Sequence, residues 1–282
     1  MFTLPLLMQP QTLINGQASD AIGLSDRGLA YGHGLFETFL VIDGQPVFYQ
    51  EHLQRLFRGC KRLGIPSDCL DSLIQQDLQK LVYPAGRCVL KLILTCGSGG
   101  RGYLTPDPAS PARILILTSM PEYPDSPEDG IRVRWCQTQL ACQPLLSGIK
   151  HLNRLEQVLA RNEWHGTDIR EGLVCDTRGF VIEGTMSNLC FIHEGRFCTP
   201  ALDQNGIEGV IRNQLMQLAV QQGLKVEVSN YTPQDVLSAD EIFLCNSLIG
   251  VWPVVALENH QYAVGPHTRS LQAALTQRMV QC

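Results

Sequence analysis

Positive charge is the first thing this chain lacks. Its 282 residues carry 22 Lys plus Arg against 27 Asp plus Glu, a formal net charge of −5. No basic field is available for a polyanion, so isolated arginines read as ligands for small anions and nucleic acid is not an expected partner. Long apolar runs are missing too. Near the N-terminus, Leu4-Pro5-Leu6-Leu7-Met8 has no basic residue before it, and it falls far short of the ~20 residues that span a bilayer. A secretory or membrane protein is therefore not expected, and a cytoplasmic one is. The eleven cysteines contain no C-x-x-C pair, and Cys88, Cys175, Cys190 and Cys245 sit in apolar strand-like runs. Buried reduced thiols are expected rather than a disulfide frame. The seven histidines show no H-E-x-x-H or similar spacing, so no metal site is expected. Internal repeats and low-complexity tracts are absent.

Lysine is scarce, with five in the chain, and four have ordinary settings. Lys61 and Lys80 fall on helix surfaces, Lys91 and Lys225 on the polar side of strand alternations. Lys150, in Ser147-Gly148-Ile149-Lys150-His151-Leu152-Asn153-Arg154-Leu155-Glu156, stands where an extended segment runs into an amphipathic helix. An amine whose surroundings favour the neutral form is a nucleophile that makes Schiff bases with carbonyl substrates or with pyridoxal phosphate (PLP). A solvated lysine beside a helix start is the alternative.

A PLP enzyme needs a carboxylate beside the pyridine nitrogen, to keep it protonated. Glu183, in Phe180-Val181-Ile182-Glu183-Gly184-Thr185-Met186-Ser187, ends an apolar strand among small polar residues that can line a pocket; an exposed strand-end glutamate is the other reading. The phosphate calls for backbone amides at a helix N-terminus. Gly206-Ile207-Glu208-Gly209-Val210-Ile211-Arg212 opens such a helix, with Gly209 permitting close approach of the backbone. Arg55, in Glu51-His52-Leu53-Gln54-Arg55-Leu56, offers a charged fork, and Ser247 offers a hydroxyl. Singly, Gly209 is a helix start, Arg55 a surface arginine and Ser247 a turn residue.

In order and spacing these residues resemble the fold-type IV PLP enzymes, the group of the branched-chain aminotransferases, D-amino-acid aminotransferases and aminodeoxychorismate lyases. The resemblance runs from Leu13-Ile14-Asn15-Gly16 to about Pro253. Ser25-Asp26-Arg27-Gly28, Gly97-Ser98-Gly99-Gly100-Arg101-Gly102-Tyr103 and Lys150-His151-Leu152-Asn153-Arg154-Leu155-Glu156-Gln157 are most similar to the lyases. Branched-chain aminotransferases carry a tyrosine where Leu155 stands here. The resemblance implies Lys150 as the Schiff-base lysine and Glu183 as partner of the pyridine nitrogen. It places Arg55 and the amides of Val210 and Ile211 on the phosphate, with Ser247 as a further phosphate hydroxyl and Thr38 near the reacting carbons. Arg101, in the glycine-rich loop, is the candidate for a substrate carboxylate, against a solvated arginine on a glycine turn.

What the resemblance implies for function is PLP-dependent conversion of 4-amino-4-deoxychorismate to 4-aminobenzoate and pyruvate, a step toward folate, by a homodimer. An aminotransferase for D-amino or branched-chain acids on the same fold, or a PLP-binding protein without catalysis, are the alternatives.

The organisation expected is a mixed α+β and α/β chain of two domains, D-amino-acid aminotransferase-like, with the cofactor in the interdomain cleft. An N-terminal α+β domain covers residues 1–120, a linker 121–130 is marked by three prolines, and a PLP-binding domain covers 131–282. Asn15-Gly16 and Asp43-Gly44 predict hairpins. Leu53, Leu56, Phe57, Cys60 and Leu63 predict a helix stopped by Gly64 and Pro66, and a second helix is expected from Asp71 to Leu81. Strands follow near Cys88–Thr95 and Arg113–Thr118. The second domain is expected to hold the helix after Lys150, hairpins near Glu171–Ile182 and Leu189–Phe197, and the phosphate helix. A short helix at Thr232-Pro233, a strand Glu241–Cys245 and a last helix from about Thr268 complete it.

Overall fold

The structure is a computed structural model that describes residues 9–122 and 129–281. Its contacts divide the chain into two compact units. The first runs to Glu122 and also takes Lys150–Asn153; the second takes the segment ending at Ile149 and then Arg154–Gln281. Most of the expected linker, residues 123–128, lies outside the described residues.

The first unit contains β1 (Gln11–Ile14), β2 (Gln17–Ala18), α1 (Arg27–Tyr31), β3 (Gly34–Ile42), β4 (Gln45–Pro46), α2 (Tyr49–Leu63), α3 (Leu70–Leu78), β5 (Arg87–Thr95) and β6 (Ala112–Ser119). Both turn signals make hairpins: Asn15 and Gly16 have φ of 49° and 74°, Asp43 and Gly44 of 47° and 82°, the doubly left-handed geometry that matches strand twist. The sheet is antiparallel in the order β2-β1-β6-β5-β3-β4. Alternation along β3 buries Leu35, Glu37, Phe39 and Val41 and turns Phe36 and Thr38 to the opposite face. Helix α2 packs against β3 with Leu53, Leu56 and Cys60 buried. A Cβ on its Gly59 would come within 2.6 Å of a Leu35 methyl, so an alanine there would have to displace that side chain. Helix α2 ends at Gly64, as its sequence predicts. Helix α3 ends at Leu78 rather than Leu81, because the chain tightens into bonds from Lys80 N–H to Asp77 and from Leu81 N–H to Leu78.

Residues Lys150–Asn153 join this unit by pairing with β3. His151 bridges Leu35 in antiparallel fashion, Phe36 N–H donates to the Lys150 carbonyl at 2.9 Å, and Leu152 N–H donates to the Gly34 carbonyl at 3.0 Å. The sequence boundary at residue 131 therefore does not separate Lys150 from the first unit.

The second unit contains β7 (Ile131–Leu140), α4 (Leu155–Arg161), β8 (Glu171–Asp176), β9 (Val181–Gly184), β10 (Asn188–His193), β11 (Arg196–Pro200), α5 (Val210–Gln221) and β12 (Lys225–Ser229). It continues with α6 (Pro233–Leu237), β13 (Glu241–Asn246), β14 (Gly250–Leu257), β15 (His260–Gln261) and α7 (Pro266–Val280). The strand path β10-β13-β14-β7-β8-β9 closes on itself through the pair Asn188–Glu183, giving a barrel-like sheet filled by Leu173, Leu189, Phe191, Leu244 and Trp252. Strand β14 is not apparent in the sequence because Pro253 argues against a central strand. The parallel pairing with β7 begins only beyond that proline, at Val254, and is bulged before Ala256. Helix α7 starts at Pro266, two residues before Thr268, because Glu241 on β13 accepts the amides of His267 (3.2 Å) and Thr268 (2.7 Å). Cys88, Cys190 and Cys245 are buried free thiols. Cys175, expected to be buried, is only partly so; partial burial, with Asp176 adding to it, still pushes its thiol up to about 11. No helix among the described residues is long and apolar enough to cross a membrane.

Candidate active site

In the first unit the amine lies on the face of β3 that carries Phe36 and Thr38. Lys150 Nζ lies 4.5 Å from the centroid of the Phe36 ring, and Thr38 follows two residues along the same face. Lys91, opposite Thr38 on β5, places its own Nζ 5.4 Å from that ring. The sequence reading of Lys91 as an ordinary strand lysine misses this, because the partner ring lies on the neighbouring strand.

Behind that face is a buried charge cluster. Arg55 is 4% exposed, which removes the surface-arginine reading. Its Nε donates to Glu37 Oε1 at 2.9 Å and its Nη2 donates to Glu37 Oε2. His52 Nδ1 lies 2.6 Å from Glu37 Oε2, and its ring rests 4.4 Å from Phe39. Burial alone would raise the Glu37 carboxyl, but the Arg55 charge and the hydrogen bonds from His52 and Arg55 outweigh it and bring it down to about 2. Burial pushes His52 toward its neutral form, against the pull of Glu37. Sequence reading missed Glu37; the available signal was an acidic residue on the apolar side of a strand alternation.

In the second unit Glu183 is 3% exposed and stands where the barrel closes, so the exposed strand-end reading fails. Its Oε2 accepts from Ile207 N–H at 2.9 Å and from Asn188 Nδ2 at 3.4 Å, and Nδ2 also donates to the Ile207 carbonyl at 2.8 Å. The charges of Arg154 and Glu183 favour one another. The bonds to Ile207 tie Glu183 to the turn that leads into α5. Gly209 is the N-cap, with no side chain capping the helix, and Val210 and Ile211 are buried. A Cβ on Gly209 would lie 1.9 Å from Asn188 Oδ1, so this position needs glycine for contact as well as for close backbone approach. Ser247 sits in a turn held by Asn246, whose Oδ1 accepts from Leu248 and Ile249 N–H at 2.9 and 3.0 Å.

Thr185 and Ser187, read from sequence as pocket-lining, have another use. Both hydroxyls donate to Glu171, at 2.5 and 2.8 Å, beside the amides of Gly172, Thr185 and Met186. Glu171 thereby fixes the turn that follows Glu183.

Arg101 is exposed on the loop between β5 and β6. That loop is laced to Ser25-Asp26-Arg27: Arg27 N–H donates to the Gly97 carbonyl at 2.9 Å and Gly99 N–H to the Ser25 carbonyl at 3.1 Å. Asp26 caps α1 and accepts from Thr95 Oγ1 at 2.6 Å. Two of the three motifs that resembled the lyases are thus physical partners. The structure brings Lys150, Thr38 and Arg55 onto β3 and its neighbours in the first unit, and Glu183 beside the opening of α5 in the second.

Comparison with known proteins places these features in context. A family model described as amino-transferase class IV matches residues 34–257. An aminodeoxychorismate lyase of Vibrio harveyi is 34% identical over 267 residues, 93% of this chain and 98% of its own length. A putative branched-chain-amino-acid aminotransferase of Methanocaldococcus jannaschii is 29% identical over 274 residues, 92% of this chain and 93% of its own. The crystal structure of 4-amino-4-deoxychorismate lyase from Pseudomonas aeruginosa superposes with a TM-score of 0.90 at 44% identity, covering 94% of this chain and 98% of that one.

Proposed function

Because the chain belongs to the class IV aminotransferase family, we propose that it is a PLP-dependent lyase converting 4-amino-4-deoxychorismate to 4-aminobenzoate and pyruvate. Its architecture is the fold-type IV one that the motifs imply. The observation that carries lysis over transamination is the 44% identity to a 4-amino-4-deoxychorismate lyase along nearly its whole length.

The donor set fits PLP. The chain offers an amine held against an aromatic ring, a buried carboxylate fixed by an amide, and a helix opening with no side-chain cap. When bound, PLP supplies an electron sink for the carbon that loses its proton. Lys150 would tether the cofactor, and its amine would take the proton from the amine-bearing carbon of the substrate. Glu183, held rigid by Ile207 and Asn188, keeps the pyridine nitrogen protonated. The amides of Val210 and Ile211, Arg55 and the Ser247 hydroxyl hold the phosphate, with Glu37 fixing the orientation of the Arg55 fork. As the carbon–oxygen bond to the pyruvyl group breaks, Thr38 orients or delivers a proton toward the departing oxygen. Arg101 receives one substrate carboxylate. Aromatisation of the ring makes the release hard to reverse.

The reading includes a homodimer acting in the cytoplasm on a route to folate. Support for the dimer is the apolar surface of α4, where Leu155, Val158 and Leu159 are 70%, 51% and 54% exposed; a monomeric mass in solution would count against it.

The decisive experiment gives the PLP-loaded protein aminodeoxychorismate with no keto acid. Aminobenzoate is the expected product; its absence alongside efficient turnover of D-alanine with a keto acid would replace the lyase with an aminotransferase. Lys150→Ala should keep its fold, lose the covalent tether and turn over several orders of magnitude more slowly, since base and nucleophile contributions are each worth about 10²–10⁴-fold. A borohydride-reduced cofactor adduct on Lys61, Lys80, Lys91 or Lys225 would move the tether elsewhere.

A further inference from the structure

We infer that Arg27 is the positioning residue of the substrate-carboxylate site: its guanidinium holds the glycine-rich loop in the shape that presents Arg101. This inference rests on the lyase reading above.

Arg27 is 2% exposed. Its Nη1 donates to the Gly102 carbonyl at 3.0 Å, Nη2 to the Tyr103 carbonyl at 2.8 Å, and Nε to His33 Nδ1 at 3.2 Å. The last contact makes Nδ1 the acceptor and leaves the His33 proton on Nε2, which faces the Leu63 carbonyl at 2.9 Å. The guanidinium also lies 5.0 Å from the Tyr31 ring, and Tyr31 meets the Tyr103 ring edge-on at 5.4 Å. Neighbouring Asp26 gives its oxygens to Gly28, Leu29 and Thr95. Among the described residues, no carboxylate pairs with Arg27.

A buried cation surrounded by neutral acceptors is a poor way to stabilise a core, since an apolar residue of similar size avoids the desolvation penalty. What it does here is order a loop that would otherwise be loose. Gly97, Gly99, Gly100 and Gly102 give that loop wide conformational freedom. It is tied at two points. The Gly97 carbonyl and the Gly99 amide are bound by the backbone of Ser25-Asp26-Arg27, and the Gly102 and Tyr103 carbonyls by the Arg27 side chain. Arg101 stands between the ties. A Cβ on Gly99 would come within 3.1 Å of Arg27 Cδ, so the loop wraps directly on the arginine stem. Two successive carbonyls and an imidazole nitrogen suit a planar fork; a lysine ammonium cannot meet all three in this geometry.

The test is a double-mutant cycle with Arg27→Lys, Arg101→Gln and the double variant, reading KM, kcat, Tm and bound-cofactor absorbance. Arg27→Lys should raise KM for aminodeoxychorismate roughly tenfold, as expected for losing charge-assisted hydrogen bonds, with kcat within about twofold of wild type and cofactor absorbance unchanged. Arg101→Gln should raise KM similarly, and the double variant should be little worse than the worse single, because Arg27 acts through Arg101. Effects that simply multiply, or a lowered Tm with unchanged KM, would overturn the inference. If Arg27→Lys does not fold, Tyr31→Ala removes an exposed ring that supports both guanidinium and Tyr103. It should raise KM several-fold, because the ring contacts to both groups are lost, and an unchanged KM would again overturn the inference. Wild-type protein that releases no aminobenzoate defeats the lyase reading itself; an active wild type with indifferent variants defeats only the role of Arg27.

Discussion

Each unit buries carboxylates, and one from each shows a different way of holding the charge. Glu37 in the first unit is 0% exposed and meets Arg55 and His52. Glu171 in the second is 1% exposed and is ringed by three backbone amides and two hydroxyls, with no cation paired to it among the described residues. The acceptor chemistry is the same, but the thing held in place differs. Glu37 orients a charged side chain, Arg55, which the proposed function uses; Glu171 shapes a backbone turn, Thr185–Ser187, next to the carboxylate Glu183. Arg27 is the counterpart of Glu171 with the sign reversed, a buried charge that orders a loop through uncharged partners.

Breaking the charged arrangement should have the largest effect. Glu37→Gln preserves shape but takes the carboxylate charge away from the buried Arg55 cation, a change that typically costs roughly 3–5 kcal/mol. Urea denaturation of the variant measures this. A loss below about 1 kcal/mol, the range of exposed pairs, would mean that the cluster is more solvated than its burial implies.

Glu171→Gln should be milder. The introduced NH₂ would face amide or hydroxyl donors that now point at a carboxylate oxygen, and unsatisfied buried donors cost about 1–3 kcal/mol. The same denaturation experiment places the two variants side by side, and a Glu171→Gln loss exceeding that of Glu37→Gln would invert the comparison. A second readout separates their roles. Proteolysis at the Thr185–Ser187 turn should increase in Glu171→Gln and not in Glu37→Gln.

The same contrast, between local and distant partners, decides which features are legible in the sequence. Those set by neighbours along the chain are: the Asn15-Gly16 and Asp43-Gly44 turns, the stop of α2 at Gly64, the glycine opening of α5, and the Thr232–Asp235 capping box that starts α6. Features set by distant partners are not. Glu241 starts α7 from a strand 26 and 27 residues earlier in the chain, and Glu37 finds its partners 15 and 18 residues away. Thr185 and Ser187 are small and polar for Glu171 rather than for an open pocket. Lys150, Arg55 and Glu183 stand out through motif resemblance, but their burial and tethering come only from the fold. Lys91 has no local signal at all.

The smallest expected effect is in the pH dependence, and its sign follows from the two groups of the first-unit cluster. His52 has a folded pKa below its ordinary 6.5, so the unfolded chain binds the extra proton first and stability begins to fall as pH drops through 6.5. Glu37 is held at about 2 against an ordinary 4.5; its contribution is fully present above 4.5 and is lost as pH falls from there toward 2. Each group changes stability by at most about 1.4 kcal/mol per pH unit within its window. Between pH 4.5 and 3 the wild type should steepen further while Glu37→Gln, which has no carboxyl to protonate there, loses that limb. Urea midpoints measured across this range in both proteins test the assignment. If the two curves run parallel below pH 4.5, the acid sensitivity belongs to other carboxylates and not to the charged cluster.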